Sequence, residues 1–272
     1  MPFVQSGDAQ IHWEAQGRGP AVLLIMGHLY SSKMWYPLVP ELAKRHRVIT
    51  FDNRGTGESS TTSGVTIEQM AADALAVLNA AGEKTAHVYG VSMGGGIAGE
   101  FGMAYPARAR SVTLGCTMLK TDRAGHGNGR APWIYYMPRP VVRWMMRKGA
   151  KPESYGSAAP RAAALRDMAM LAKDVWTMKG VREQNLAITN YVTTRERARA
   201  KLTMPVLVLH GDEDQTVSVK YGRELHRIIP GSRYVEFKGA GHNYLVAAGE
   251  AATRAFIGFI DSVDDGSFRK GS

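Results

Sequence analysis

Residues 87–101 read His-Val-Tyr-Gly-Val-Ser-Met-Gly-Gly-Gly-Ile-Ala-Gly-Glu-Phe, and this stretch is compatible with two different chemistries. In one interpretation, Gly-Val-Ser-Met-Gly is a G-x-S-x-G turn between a strand and a helix, which would present Ser92 as a nucleophile. In the other, Gly94, Gly96 and Gly99 have the G-x-G-x-x-G spacing that lets a backbone approach the pyrophosphate of a dinucleotide. The surrounding sequence decides between the two.

A dinucleotide site requires its first glycine in the loop directly after a strand, and an acid at the end of the next strand roughly 20 residues on. Here the three glycines fall inside a predicted helix, Met93–Ala104. The next predicted strand, Ser111–Gly115, is followed by no acid before Asp122. The context therefore disfavours a dinucleotide site and favours the serine turn.

Short strands alternate with helices on both sides of this turn, from residue 11 to residue 116. The strands are apolar on both faces, as in parallel sheets covered by helices, and the helices have apolar residues at a spacing of 3.6. This pattern predicts an α/β fold with a doubly wound, mostly parallel sheet. The predicted strands are Ile11–Glu14, Val22–Ile25, Arg47–Phe51, Ala86–Tyr89 and Ser111–Gly115, and the predicted helices are Trp35–Lys44, Ile67–Ala81 and Met93–Ala104.

The alternation stops after Cys116 and returns near Met204. Residues 119–200 contain a glycine-rich loop, a proline-punctuated aromatic stretch and methionine-rich helical segments, without a convincing strand. A strand at 204–209, a helix at 220–229, a strand at 234–237 and a helix at 250–262 then continue the α/β pattern. We therefore expect a core domain of residues 1–118 and 201–264, a helical cap insert of residues 119–200 and a flexible tail of residues 265–272.

The composition of the 272 residues is that of a soluble globular protein, with 44% apolar and 21% charged residues. No apolar run approaches the roughly 20 residues of a membrane span, and no signal-peptide pattern is present. We therefore expect a cytoplasmic protein without a membrane partner. The net charge of +10 falls entirely in residues 119–200, where sixteen Lys/Arg stand against six Asp/Glu. These basic residues are scattered, which does not favour a nucleic-acid partner.

A serine hydroxyl is a weak nucleophile unless a base lies beside it. Eight histidines are candidates. His242 differs from the others because it lies in a glycine-rich loop, Gly-Ala-Gly-His-Asn, directly after a predicted strand. His87 and His210 lie in or at the end of strands, His46 lies among surface charges, and His226 lies on a helix. We therefore predict His242 as the base.

A third group should hold the imidazole in the correct tautomer. The loop after the strand at 206–209 reads Gly-Asp-Glu-Asp-Gln-Thr-Val, and we predict Asp214 as the orienting acid, with Asp212 as the second candidate and Asp122 as a more distant one. The spacing of these acids matches no calcium loop. The single cysteine, Cys116, cannot form an internal disulfide, and we expect it to be a packed side chain.

The chain order Ser92, Asp214, His242 resembles that of the α/β-hydrolase superfamily. The stretch 51–59, Phe-Asp-Asn-Arg-Gly-Thr-Gly-Glu-Ser, is similar to the family's D-x-R-G-x-G-x-S loop beside the active site. The resemblance covers nearly the whole chain outside residues 119–200, which it implies are a cap over the site. It also implies catalysis without a metal or an organic cofactor.

Many members of this family have His-Gly-x after the strand that corresponds to Val22–Ile25, and the amide of x is the second donor of the oxyanion hole. This chain has Met26-Gly27-His28 at that place. The Met-Gly form resembles that of some polyketide methylesterase-like members. Because the donor is a backbone amide, the substitution need not abolish the hole. The resemblance implies an oxyanion hole formed by the backbone N–H groups of His28 and Met93.

The resemblance implies a small-molecule substrate and predicts a serine hydrolase that cleaves a carboxylic ester or a lactone. C–C bond hydrolysis, thioester hydrolysis, cofactor-free haloperoxidation and a catalytically slow ligand receptor remain alternatives on the same scaffold. Serine at the turn argues against a dehalogenase or an epoxide hydrolase, which use aspartate. The sequence does not indicate an oligomeric state. The expected substrate-binding residues are Gly27, Trp133, Tyr136, Met145 and Trp176.

Overall fold

A computed structural model describes residues 2–119, 133–138, 140–142, 144 and 155–269. Its described strands are β1 (Phe3–Ser6), β2 (Ala9–Gln16), β3 (Ala21–Ile25), β4 (Arg47–Phe51), β5 (Ala86–Val91), β6 (Ala109–Gly115), β7 (Val206–Gly211) and β8 (Arg233–Phe237). They form one eight-stranded sheet in the order β1-β2-β4-β3-β5-β6-β7-β8. Strand β2 pairs antiparallel with both β1 and β4, and all other neighbouring strands pair parallel.

The helices lie between these strands as the alternating pattern predicts. A representative start is Thr66, whose side chain accepts a hydrogen bond from the backbone N–H of Gln69 and so caps the second helix. The helices are α1 (Val39–Leu42), α2 (Ile67–Ala80), α3 (Met93–Ala104), α4 (Arg161–Leu171), α5 (Met178–Asn190), α6 (Arg195–Lys201), α7 (Val219–Ile228), α8 (Tyr244–Ala247) and α9 (Gly249–Asp264). Short 3₁₀ turns cover Ser32–Trp35, Pro106–Arg108 and Trp133–Tyr136.

The sheet is buried on both faces, which explains the continuous apolar runs of its central strands. Every residue of β3, β5 and β7 is buried. One face packs against α2 and α3, with Phe101 fully buried, and the other packs against α9, with Phe256 fully buried. Fully burying an aromatic or branched side chain contributes on the order of 2 kcal/mol to the free energy of folding. The helices on the two faces therefore stabilise the sheet.

One prediction about the elements was wrong, and one strand was missed. The helix expected over Trp35–Lys44 is only α1, because Pro37 has no N–H to donate and its ring blocks a helix through that position. The strand β1 was not predicted, because its four residues are half-exposed and too short to give a clear alternation.

The chain between β6 and β7 is helical wherever it is described in regular structure, apart from an isolated bridge between Thr56 and Trp176. Helix α4 packs on α8, α5 packs on the 3₁₀ turn Trp133–Tyr136, and α6 packs on α3 and α7. The division into core, cap and tail stays a prediction. In the described part of the chain, every helix is too short or too polar to cross a bilayer.

Candidate active site

Ser92 lies at the turn between β5 and α3, in a backbone conformation that is uncommon for a non-glycine residue, with φ 56° and ψ −123°. Its N–H donates to the carbonyl of Gly115 at 2.8 Å, and its own carbonyl accepts from the Thr117 hydroxyl at 2.7 Å. These contacts with β6 and the loop after it hold the strained residue in place. This is the geometry that the G-x-S-x-G pattern predicts for a nucleophile.

The two outer glycines of the pattern are needed because backbone passes directly against them. A Cβ on Gly90 would overlap the carbonyl oxygen of Gly94, and a Cβ on Gly94 would overlap the carbonyl oxygen of Ile25. The turn can therefore form only where neither residue has a side chain. Gly94, Gly96 and Gly99 all lie inside α3, not in the loop after the strand.

His242 and Asp214 meet at the same edge of the sheet. Asp214 follows β7, His242 follows β8, and Nδ1 of His242 lies 2.7 Å from Oδ2 of Asp214. The other carboxyl oxygen of Asp214 accepts from the N–H groups of Thr216 and Val217, both at 2.8 Å. The carboxylate is thus fixed on one side by its own turn and faces the histidine on the other, which is the arrangement that orients an imidazole.

A second histidine, His210, contacts the same carboxylate. Its Nε2 lies 2.8 Å from the carbonyl oxygen of Val217 and 3.3 Å from Oδ2 of Asp214. A carbonyl only accepts, so Nε2 carries the proton. Burial by itself raises the pKa of Asp214, but the hydrogen bonds from His210 and His242 outweigh it and leave the pKa well below its usual range. The acid is therefore ionised at neutral pH.

The other predicted acids have different surroundings. Oδ1 of Asp212 accepts from the N–H of Gly239 at 2.6 Å, so Asp212 braces the loop that carries His242. Asp122 lies outside the described residues. Of the two acids that the structure describes, Asp214 is the one hydrogen-bonded to His242.

Ser92 and His242 line one cavity of about 340 Å³. Most of its wall is apolar, with hydroxyl, amide and imidazole groups at a few points. The remaining lining residues are Met26, Gly27, His28, Leu29, Tyr30, Met34, Val91, Cys116, Tyr155, Leu171, Thr216, Asn243, Tyr244 and Leu245. Such a concave, mostly apolar site with a few converging polar groups is typical of a small-molecule pocket.

The loop after β3 approaches the serine closely and is held from behind by α5. A Cβ on Gly27 would lie 3.2 Å from Cβ of Ser92. Nε2 of His28 donates to the carbonyl of Val181 at 3.0 Å, and Oε1 of Gln184 accepts from the N–H of Leu29 at 3.0 Å. Helix α5 thus supplies the support for a loop that lacks the usual His-Gly sequence.

The side chain of His28 lies on the cavity wall as a neutral imidazole. Burial lowers its pKa, against a smaller opposing effect of the Val181 carbonyl. Met93 is the first residue of α3, where helix N–H groups lack intrahelical partners and the helix dipole favours negative charge. The backbone amides predicted for the oxyanion hole therefore belong to the loop after β3 and to the first residue of α3.

The predicted substrate-binding residues do not gather at the cavity, apart from Gly27. Trp133 and Tyr136 expose 67% and 61% of their surface and are absent from the described cavity wall. Trp176 is buried in a cluster with Leu29, a residue of the loop after β3. Met145 lies outside the described residues. The prediction is corrected for these three aromatic residues, because residue type shows that a segment packs but not which face it packs with.

Sequence reasoning missed several residues that the structure brings to the site. Tyr155, Asn243 and Tyr30 line the cavity, and Asp167 lies behind it. Two of them carry a sequence signal, because Asn243 adjoins His242 and Tyr30 lies two residues after His28. Tyr155 and Asp167 come from a segment far away along the chain.

Cys116 is buried, as expected, and lies against the candidate catalytic groups. Its Sγ, a carboxylate oxygen of Asp214 and a ring nitrogen of His242 all lie within 4.8 Å of one another, which is the one group of metal-ligand type among the described residues. Burial, together with the negative charge of Asp214, raises the pKa of the Cys116 thiol well above its usual value. The sulfur is therefore a neutral thiol, not the thiolate that binds metals.

The fold agrees with a comparison against known families. A model described as the alpha/beta hydrolase fold matches residues 20–246. The chain belongs to the α/β-hydrolase family. This match covers the strands and loops that carry Ser92, Asp214 and His242.

Three proteins illustrate the family's range. A protein provisionally named carbamate hydrolase RutD, from Azorhizobium caulinodans, is 29% identical over 97% of this chain and 100% of its own length. A provisionally named non-heme bromoperoxidase BpoC, from Mycobacterium tuberculosis, is 31% identical over 92% of this chain and 97% of its own. The solved structure of the esterase RhEst1 from Rhodococcus sp. ECU1013 has a TM-score of 0.81 at 23% identity, covering 96% and 98% of the two chains. This α/β hydrolase is therefore similar to hydrolases over nearly its full length.

Proposed function

We propose that this α/β hydrolase is a serine hydrolase that cleaves a carboxylic ester or a lactone. One observation carries the proposal. His242, whose Nδ1 is hydrogen-bonded to Oδ2 of Asp214 at 2.7 Å, lines the same cavity as the strained Ser92. An activated nucleophile requires a base within reach and a third group that orients the base. The three residues supply these roles in the order that the family uses.

In the proposed reaction, Oγ of Ser92 attacks the substrate carbonyl while Nε2 of His242 takes the hydroxyl proton. The tetrahedral oxyanion is stabilised by the backbone N–H groups of His28 and Met93. His242 then gives its proton to the leaving alkoxide, and an acyl group stays on Ser92. His242 then takes a proton from a water molecule that attacks this acyl enzyme, and it returns the proton to Oγ of Ser92 as the acyl bond breaks and the acid is released.

The walls of the cavity favour an uncharged substrate. A neutral imidazole at His28 and apolar side chains such as Met34, Leu171 and Leu245 surround the serine. A volume of about 340 Å³ suits a substrate of modest size. We therefore propose short acyl esters and small lactones as substrates.

The test compares the parent protein with Ser92→Ala on p-nitrophenyl butyrate and on a set of small lactones. We expect kcat to fall by a factor of about 10⁴ or more. Ser267→Ala, at an exposed serine near the end of the chain, is the matched control and should keep full activity. Equal hydrolysis by the parent and by Ser92→Ala would reject the proposal.

A second candidate function follows from the similarity to the provisionally named bromoperoxidase. With the same three residues, a short carboxylic acid would acylate Ser92 with loss of water. Hydrogen peroxide would then attack this acyl enzyme in place of water and release a peroxy acid, which oxidises bromide. Bromination of a dye in the presence of hydrogen peroxide, bromide and a short carboxylic acid measures this activity. Loss of the signal in Ser92→Ala would support it, and a signal that is independent of Ser92 would reject it.

A further inference from the structure

We propose that four consecutive residues, Tyr155–Ala158, together with Asp167, hold the loop of His242 in its catalytic position. We call these five residues the clamp. They lie between β6 and β7 and contact the loops that follow β7 and β8. The inference rests on the proposed function of His242 as the base.

The clamp contacts the chain immediately before His242 through its backbone. The N–H of Gly241 donates to the carbonyl of Tyr155 at 2.7 Å, and the N–H of Ala158 donates to the carbonyl of Gly239 at 2.8 Å. Between these bonds, Gly156 has φ 95°, and a Cβ there would overlap the carbonyl oxygen of Gly239. Two glycines of the histidine loop are thus fixed by a strand-like contact that leaves no space for a side chain.

The clamp contacts the residue immediately after His242 through a buried carboxyl group. Oδ2 of Asp167 accepts from Nδ2 of Asn243 at 2.8 Å. The hydroxyl groups of Tyr155 and Tyr36 also donate to this carboxyl group, both at 2.9 Å. Asp167 is only 1% exposed, so these bonds are shielded from water and Asn243 is tied to both the clamp and the core.

The clamp also reaches the loop of the orienting acid. The N–H and hydroxyl of Ser157 donate to the carboxylate of Glu213 at 2.7 and 2.6 Å. Glu213 immediately precedes Asp214, and its own N–H donates to the carbonyl of Ala240. The bonds of Ser157 are exposed and contribute little individually, so the buried contacts of Asp167 are the main restraint.

These contacts matter because the loop that carries His242 is rich in glycine. Gly239 and Gly241 have large conformational freedom, so the loop needs external contacts to keep Nδ1 of His242 at 2.7 Å from Asp214. A misplacement of about 1 Å in a catalytic group can cost about 10²-fold in rate. Asp167 and Tyr155 are accordingly positioning residues for His242.

The experiment compares Asp167→Asn and Tyr155→Phe with the parent. Asp167→Asn replaces an acceptor-only carboxylate by an amide of the same shape, so it cannot accept from Asn243 and both tyrosines as before. Tyr155→Phe removes one bond to Asp167 but keeps the backbone bond to Gly241. We expect kcat to fall by about 10²-fold in Asp167→Asn and by about 10-fold in Tyr155→Phe, with KM within threefold of the parent. Ala162→Ser, at an exposed position of α4, is the control and should match the parent.

Two readouts separate this inference from the proposed function. The low-field proton NMR signal of the His242–Asp214 hydrogen bond reports the position of His242 without any turnover, and it should shift or broaden in Asp167→Asn. A fluorophosphonate probe should label Ser92 in the parent and label it more slowly in both variants. A parent that is not labelled would reject the proposed function. The clamp would be rejected if the parent is labelled and a folded Tyr155→Phe or Asp167→Asn protein is labelled at the same rate with an unchanged NMR signal.

Discussion

Nε2 of His210 lies 3.3 Å from Oδ2 of Asp214, the same carboxyl oxygen that faces His242. The candidate acid is thus shared by two histidines with different surroundings. His242 lines the cavity, whereas His210 is completely buried and also donates to the carbonyl of Val217. His210 therefore stabilises the charged carboxylate from within the core and not from the cavity.

Replacing His210 should destabilise the turn that carries Asp214. His210→Leu removes the only N–H that this side chain directs at the Val217 carbonyl and the carboxylate, so we expect a loss of about 2 kcal/mol in the free energy of unfolding. His210→Gln can place an amide N–H near the same position and should lose less. Urea denaturation at pH 7 measures both variants, and equal stability of the Leu and Gln variants would contradict this role.

Asp214→Asn should remove the orientation of His242 while leaving the chain folded. The amide offers an N–H where Nδ1 of His242 needs an acceptor, and such a change in a triad lowers kcat by about 10⁴-fold. The depressed pKa of Asp214 gives stability that is fully present above the unfolded-state pKa, near 3.9, and that is lost as the pH falls through the lower folded-state pKa. The variant should therefore lose less stability than the parent below about pH 4.

Kinetics with p-nitrophenyl butyrate and denaturation curves at pH 7 and pH 3 check both parts of this prediction. Asp212→Asn is the matched control, because that carboxylate accepts from Gly239 and not from His242. If Asp212→Asn lowered kcat as much as Asp214→Asn, the assignment of the orienting role to Asp214 would be contradicted.

The glycines of the serine turn should differ sharply in their tolerance of a methyl group. Gly94→Ala places a Cβ against the carbonyl of Ile25, so the turn must shift and the reactivity of Ser92 should fall by more than about tenfold. Gly96→Ala meets nothing within 4 Å and replaces a glycine inside a helix, so it should stabilise the protein by about 1 kcal/mol. Fluorophosphonate labelling and thermal unfolding test the pair, and similar behaviour of the two variants would be inconsistent with the observed backbone approach.

The sequence was sufficient for the layout that brings Ser92, Asp214 and His242 together. Parallel strands have their carboxyl ends at one edge of the sheet, so residues that follow β5, β7 and β8 are brought to that edge whatever the details of packing. The strands could be predicted because each is an apolar run between clear turns.

The contacts behind the site could not be predicted in this way. Asp167 meets Asn243 across 76 residues of chain, and Trp176 packs behind Leu29 instead of lining the cavity. Helical periodicity fixes which residues of α4 share a face, but not the surface against which that face lies. The same reason explains why Trp133 and Tyr136 were expected at the cavity and are exposed instead.

His87 should make the stability of the fold fall between pH 7 and pH 5. Burial lowers the pKa of His87 to about 4, although the nearby carboxylate of Asp264 opposes this. An unfolded chain takes up a proton at this position below about pH 6.5, whereas the folded chain stays neutral down to about pH 4. Stability is therefore highest above pH 6.5, and the contribution of this group falls by about 2 kcal/mol between pH 7 and pH 5. Urea denaturation at several pH values measures this slope.

His87→Gln is the variant that isolates this effect. Glutamine retains hydrogen-bonding groups toward Ser111 and Asp264, which contact the two ring nitrogens at 2.8 and 2.9 Å, but it does not titrate. The variant should be less stable than the parent at pH 7 because the glutamine side chain fits the site of the imidazole less well. The difference in free energy of unfolding between the two proteins should become smaller by about 2 kcal/mol at pH 5. Parallel pH profiles for the two proteins would mean that His87 takes up its proton in the folded state, since only a histidine kept neutral by burial can produce the narrowing.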